Sequence, residues 1–177
     1  RTGCKSKYIT QEIRIISMGK DVEFFNKETE VETAMDQLND HIHQMTGIFE
    51  KFSREELLRK PAPGKWSRLE ILGHLIDSAI NNLKRFTEIQ FLPQPYKIVS
   101  YKQDELVAVN QYQNLPLAHL LDLWAALNQQ IIYVVKNIPK EKLDFPLELL
   151  NDSKEVKSLS WIICDYVTHM EHHLKQL

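Results

Sequence analysis

Apolar residues recur at helical spacing in four long stretches, and that one pattern decides what this chain can fold into. Between residues 27 and 52, Val31, Met35, Leu38, Ile42, Met45 and Phe49 fall four, three, four, three and four apart, which places them on one face of an α-helix. A second helix is predicted over 67–91, with Leu72, Leu75, Ile76, Ala79, Leu83 and Phe86 toward the core. A third, over 114–137, carries Leu120, Leu121, Trp124, Leu127, Ile131 and Val135. The last runs from about 158 to 177. Ser67 with Glu70, and Ser53 with Glu56, have the spacing of capping boxes and mark the starts of the second helix and of a short turn before it. Pro93 and Pro95 end the second helix. Its connection to the third holds a short amphipathic piece at 103–112, and the stretch 139–157 reads as a loop with a small hairpin. Beyond residue 20 only Gly47, Gly64 and Gly73 are glycines, too few for tightly turned sheets. The expected fold class is therefore all-α, a four-helix bundle with long interhelical connections and no sheet of consequence.

Length and charge narrow the function. At 177 residues the chain makes one domain, predicted over 25–177, with residues 1–24 as a loosely attached arm. That arm has five basic residues and one acidic among its first twenty, and Met18 stands where a natural start is plausible. The net charge of −2 argues against nucleic acid, which calls for a basic face. No apolar run spans a membrane and no leader pattern is visible. Two distant cysteines, Cys4 and Cys164, fit a reducing compartment better than a disulfide framework. A cytoplasmic location is expected.

The histidines carry the chemistry. His169 and His173 stand four apart on the last helix and point from one face, one turn apart, able to give two nitrogens to one ion. His172 competes, because a pair three apart also converges; it and His173 point about 100° apart, so one of them can share the site. Met170 stands where a zinc-protease motif would have its glutamate, so any carboxylate must come from elsewhere. A third ligand has to come from another helix, and His74 is the candidate, since it interrupts an apolar face. Gly73 beside it costs about 1 kcal/mol of helix propensity against alanine, which implies a packing or access reason. Asp77 and Asp165, one turn from His74 and His169, are placed to steady the imidazoles. His41 and His43 read as surface residues, and His119 is unassigned. Arg85, on nearly the same face as His74, is expected to pair with an acidic residue across the bundle, or else to bind a substrate carboxylate. Trp66, Trp124 and Trp161 read as core or interface anchors, and Cys164 as a buried thiol.

The segments Lys65-Trp66-Ser67, Glu70-Ile71-Leu72-Gly73-His74-Leu75-Ile76-Asp77 and Arg85-Phe86 resemble the signature of the DinB/YfiT-like superfamily. So do Tyr101 to Asp104, Leu123-Trp124 and the ending Asp165-Tyr166-Val167, His169, His172-His173-Leu174. The resemblance covers about 31–177. It implies a four-helix bundle, often a homodimer, with a three-histidine site for zinc or nickel. By position the ligands fall on His74, His169 and His173, which resolves the competition in favour of His173. The family implies a metal-dependent hydrolase or a transferase using a low-molecular-weight thiol, with a small-molecule substrate.

An ion held by three histidines keeps an open position. That position can lower the pKa of a water for hydrolysis or deprotonate a thiol. Imidazoles with an ordinary pKa of about 6.5 would release the ion below about pH 6. The competing reading is a non-catalytic helical module whose histidines hold metal for stability.

Overall fold

The computed structural model describes residues 26–150 and 155–177; the expected arm at 1–24 lies outside the described residues. Six α-helices and three short strands follow in the order α1 (Lys27–Phe49), α2 (Arg54–Leu58), α3 (Arg68–Glu88), β1 (Tyr96–Ile98), α4 (Gln103–Asn110), α5 (Leu117–Lys136), β2 (Pro146–Leu149), β3 (Val156–Ser158) and α6 (Leu159–Leu174). The four long helices α1, α3, α5 and α6 form the bundle, with α2 and α4 as short connecting pieces.

Helix starts follow local chemistry. The Ser53 and Ser67 side chains accept from the backbone N–H of Glu56 and Glu70, and both glutamates reach back to the serine N–H. Two orphan donors are met reciprocally at each start. Asn26 and Ser158 cap α1 and α6. Pro116 precedes α5, where its missing N–H costs nothing. Helix α3 ends at Glu88, one turn earlier than residue 91.

The core runs through all four long helices. Leu38, Phe49, Leu72, Phe86, Trp124 and Ile163 are wholly excluded from solvent, each such side chain contributing about 1.5–3 kcal/mol relative to exposure. Helix α3 packs most extensively on α5, while α1 bridges α5 and α6. The α3–α6 seam is the lightest of these. One buried polar pair bridges the bundle: the Tyr166 hydroxyl donates to Asn128 Oδ1 at 2.5 Å, and Asn128 Nδ2 donates to the Trp124 carbonyl one turn back on α5 at 2.8 Å.

The first half of α3 is buried on every side, from Ile71 to Ala79 without a break, because α4 and a 3-10 turn at Tyr112–Asn114 cover the face that the bundle leaves. Gly73 is the reason that they fit. A Cβ on Gly73 would stand 2.0 Å from Tyr112 Cδ2, closer than any real contact.

A small sheet forms where the sequence predicted none of consequence. The 139–157 hairpin is present as antiparallel β2–β3, with Leu147 opposite Lys157. Strand β1, from the α3–α4 connection, adds to it in parallel, with Tyr96 opposite Leu147. Strands of three and four residues are too short to show a period of two, and parallel pairing over fifty residues leaves no local trace. The sheet matters because β3 ends at Ser158, the N-cap of α6, so it aims the helix that carries the histidine pair. Among the described residues no helix is long and apolar enough to cross a membrane.

Candidate metal centre

His74 sits in the second turn of α3, just past the Ser67–Glu70 capping box. That start is held firmly: Glu70 also pairs with Lys60 at 2.7 Å, and Gln113 Nε2 donates to Ser67 Oγ at 2.8 Å. His169 and His173 lie in the last two turns of α6. The two helices bring the three rings together. His169 Nε2 lies 3.5 Å from His74 Nε2 and 3.2 Å from His173 Nε2, and one ligand atom from each residue falls within 4.8 Å of the others, a spacing that can hold a metal ion. His172 is exposed and its ring only abuts that of His173, centroids 5.5 Å apart.

Burial sets the protonation of these rings. It drives the His74 pKa from 6.5 down to about 3, with the neighbouring His173 and His169 adding to the effect. Burial, then His169 and His172, bring His173 down to about 4; His169 is lowered by burial and by His172. All three are therefore neutral at pH 7, with lone pairs to offer. The ordinary pKa of 6.5 assumed from the sequence does not apply, because charging these rings means charging them out of water.

Asp77 accepts from the Tyr112 hydroxyl at 2.6 Å and from Asn110 Nδ2 at 3.1 Å, both on Oδ1. Its Oδ2 is buried without a partner, as are His74 Nδ1 and His173 Nδ1. Burial raises the Asp77 pKa against the lowering effect of its two donors. Asp165 makes no hydrogen bond to His169 among those described. It faces a cleft, and partial burial raises its pKa too.

That cleft, of about 260 Å³, reaches the group at His169 between α3, the α3–α4 connection, the hairpin and α6. Tyr101 and Gln103, from the long connection and the start of α4, line it. Arg85 lines it as well, and the acidic partner anticipated across the bundle is not there among the described residues. Its guanidinium donates to Asn82 Oδ1 at 3.3 Å and to the Val99 carbonyl at 3.2 Å, and lies 5.6 Å over the Tyr101 ring. A half-buried cation satisfied by neutral acceptors can take an anion from the cleft.

Other expectations divide. Trp124 is in the core, Trp161 lines the cleft partly exposed, and Trp66 stacks on the His74 ring with centroids 4.7 Å apart. His41 is no surface residue: half-buried, its Nε2 lies 3.2 Å from Glu171 Oε1 and ties α1 to α6. His43 is exposed. Cys164 is half-buried, and burial raises its thiol pKa, so it stays protonated. Trp66, against the histidine rings, and Tyr112, on Asp77, are the contacts that spacing alone missed, although Gly73 signalled the second.

Comparison with known proteins places these features. A protein of Oceanobacillus iheyensis named "Putative metal-dependent hydrolase OB0413" is 20% identical over 146 residues, 80% of this chain and 79% of its own. The solved structure of YfiT from Bacillus subtilis, described as a probable metal-dependent hydrolase with an unusual four-helix bundle topology, superposes with a TM-score of 0.75. It is 20% identical and matched over 89% of each chain. The sequence profile of the DinB superfamily matches residues 37–177, and the chain belongs to that superfamily.

Proposed function

We propose that this chain is a metal-dependent enzyme in which His74, His169 and His173 hold one divalent ion, zinc or nickel. The observation that carries the reading is the spacing of their ring nitrogens. Tetrahedral ligands at 2.0–2.1 Å from an ion stand about 3.3 Å apart; two of the three separations are 3.2 and 3.5 Å, and all three lie within 4.8 Å. Three neutral, mostly buried imidazoles whose Nε2 atoms face one another, with no other partner for those atoms among the described residues, are poorly explained as core histidines.

A bound ion with an open position supplies Lewis acidity, useful both for hydrolysis and for transfer of a low-molecular-weight thiol. The chain's own residues do the rest. Arg85 holds an anionic group of the small-molecule substrate in the cleft, and Trp161 offers it an apolar wall. Asp165, one turn before His169, accepts a proton there; a carboxyl with a raised pKa is a better-matched base near neutrality. Asp77, three residues along α3 from His74, is held through Oδ1 by Tyr112 and Asn110 and makes no hydrogen bond to that ring. The cleft beside His169 favours an enzyme over a metal-stabilised module, since a purely structural ion has no use for a reachable open side.

Elemental analysis of the purified protein, followed by parallel screens of thiol conjugation to a model electrophile and of ester and amide hydrolysis, tests the reading. One equivalent of zinc or nickel with turnover in either screen is expected. Full metal with no turnover in both would leave the non-catalytic module, and absence of metal would remove the centre itself.

A further inference from the structure

A second cavity reaches the histidine group from another side. It holds about 570 Å³ and is lined by Arg59, Lys60, Lys65, Trp66, Arg68 and His173, among others. It shares no lining residue with the cleft at His169. Four of its side chains are cationic and none of its lining residues is a carboxylate, in a chain whose net charge is −2.

The cations are arranged in two tiers. Arg68 is fixed: Nε donates to the Leu177 carbonyl at 2.9 Å, Nη1 donates to the Glu56 carbonyl at 3.1 Å, and the guanidinium lies 4.2 Å over the Phe52 ring. Nη2 is left to offer, from a group whose entropy is already spent. Lys60 is held by Glu70. Arg59 and Lys65 are exposed and make no ion pair among the described residues. The rim itself is shaped by the Pro61–Gly64 loop, where Gly64 takes a positive φ of 74° and Lys65 N–H closes on the Ala62 carbonyl at 3.1 Å. Glu70 answers Lys60, and Glu56 lies near Arg59 and Arg68, but the cations still outnumber these carboxylates. Clustered like charges repel, so a surface short of counter-charge is prepared for an anion.

We infer that this groove binds the anionic end, carboxylate or phosphate, of a second small-molecule reactant, and presents its other end to the histidine centre past Trp66. The inference rests on the metal-enzyme reading above. It gives each reactant its own approach: the first through the cleft at His169, the second through the basic groove at His173. Arg68 supplies a fixed donor and Arg59 and Lys65 close over the ligand. Trp66, which lines the groove and stacks on His74, reports occupancy directly.

The test follows the Trp66 indole N–H resonance of the metal-loaded protein, assigned with W66F, during titration with inorganic phosphate and separately with succinate. Sodium chloride at matched ionic strength is the control. A saturable shift with either anion is expected, and which of the two produces it names the ligand's charged group. In R59E/K65E the midpoint should move at least roughly tenfold, the effect of reversing two exposed charges. No shift in the wild-type protein with either anion, a shift that sodium chloride reproduces, or an unchanged midpoint in R59E/K65E would overturn the proposal. Metal content measured on the same samples separates the two readings. Full metal without an anion response sinks the groove alone, and an anion response in protein that never holds metal sinks the centre alone.

Discussion

Trp66 lays its indole on the imidazole of His74, with ring centroids 4.7 Å apart and planes tilted by 35°, and stands 6.1 Å from the ring of His173. An indole in contact with two rings of the group senses what those rings bind. Nickel added to metal-free protein is expected to quench tryptophan emission in a saturable step, and W66F should remove most of that quenching. Equal quenching in W66F would mean that the ion binds elsewhere.

Alanine at His74 or at His169 should abolish stoichiometric metal together with any turnover, because in the proposed centre each ring would contribute one of three nitrogens. H172A should keep both, since His172 is exposed beside the group. Metal content is read by elemental analysis after dialysis. Full occupancy in H74A would refute the assignment, and loss in H172A would reopen the competition between neighbouring histidines.

The pH response should differ from that of ordinary histidines. His74 and His173 have pKa values brought down by burial to about 3 and about 4, so protons do not compete for their lone pairs until well below pH 6. Metal is expected to remain bound at pH 5 and to leave toward pH 4. The metal-free fold shows the same shifts with a definite sign. Between about pH 6.5 and pH 4 the unfolded chain takes up protons on these rings and the folded chain does not. Stability is therefore complete above pH 6.5 and falls as the pH drops toward 4. Denaturant titrations of metal-free protein at pH 7 and pH 4.5 should show a smaller acid loss in H74A/H173A than in the wild type. Equal losses would show that the rings are not shielded.

Gly73→Ala tests the close approach of Tyr112. The new methyl must displace the ring, and with it the hydroxyl that donates to Asp77. Overpacking costs about 1–3 kcal/mol, against about 1 kcal/mol gained in helix propensity. A net loss is expected, lowering Tm by several degrees. In a Y112A background the same change should become neutral or stabilising, because the ring is gone. A cost independent of Tyr112 would disprove the packing explanation.

Arg85→Met should raise KM for a carboxylate-bearing substrate about tenfold or more while metal content stays at wild-type level, and should leave a neutral analogue nearly unaffected. A uniform loss on both substrates would return Arg85 to a structural role.

Much of the bundle could be read from the chain because its signals are local. Ser53 with Glu56 and Ser67 with Glu70 announce two helix starts within four residues each, and the apolar spacing of 31–49 needs only its own helix. His169 and His173 were visible for the same reason, although geometry alone could not choose between His172 and His173, and the family signature was needed. What stayed hidden joins distant segments. The parallel pairing of Tyr96 with Leu147 and the pairing of His41 with Glu171 depend on tertiary placement alone. Arg85 kept two readings in the sequence because helical phase tells which face a residue takes, not which neighbour waits there. The lowered histidine pKa values follow from burial, and burial belongs to the assembled bundle. The basic groove is assembled from residues near 60, near 65 and near 173, whose approach in space no one segment announces.

The seam between α3 and α6 is the most lightly packed contact between neighbouring long helices, and the histidine group lies across it. An ion held there would act as a clasp between segments 95 residues apart, supplied from outside the chain rather than by its own apolar surface. Ligands that bind only the folded state stabilise it by mass action, and here the gain would fall where the long helices approach each other least. The end of α6 would then be the part of the molecule most loosened by a chelator, its amide protons the first to exchange, while α5 stays protected behind Trp124.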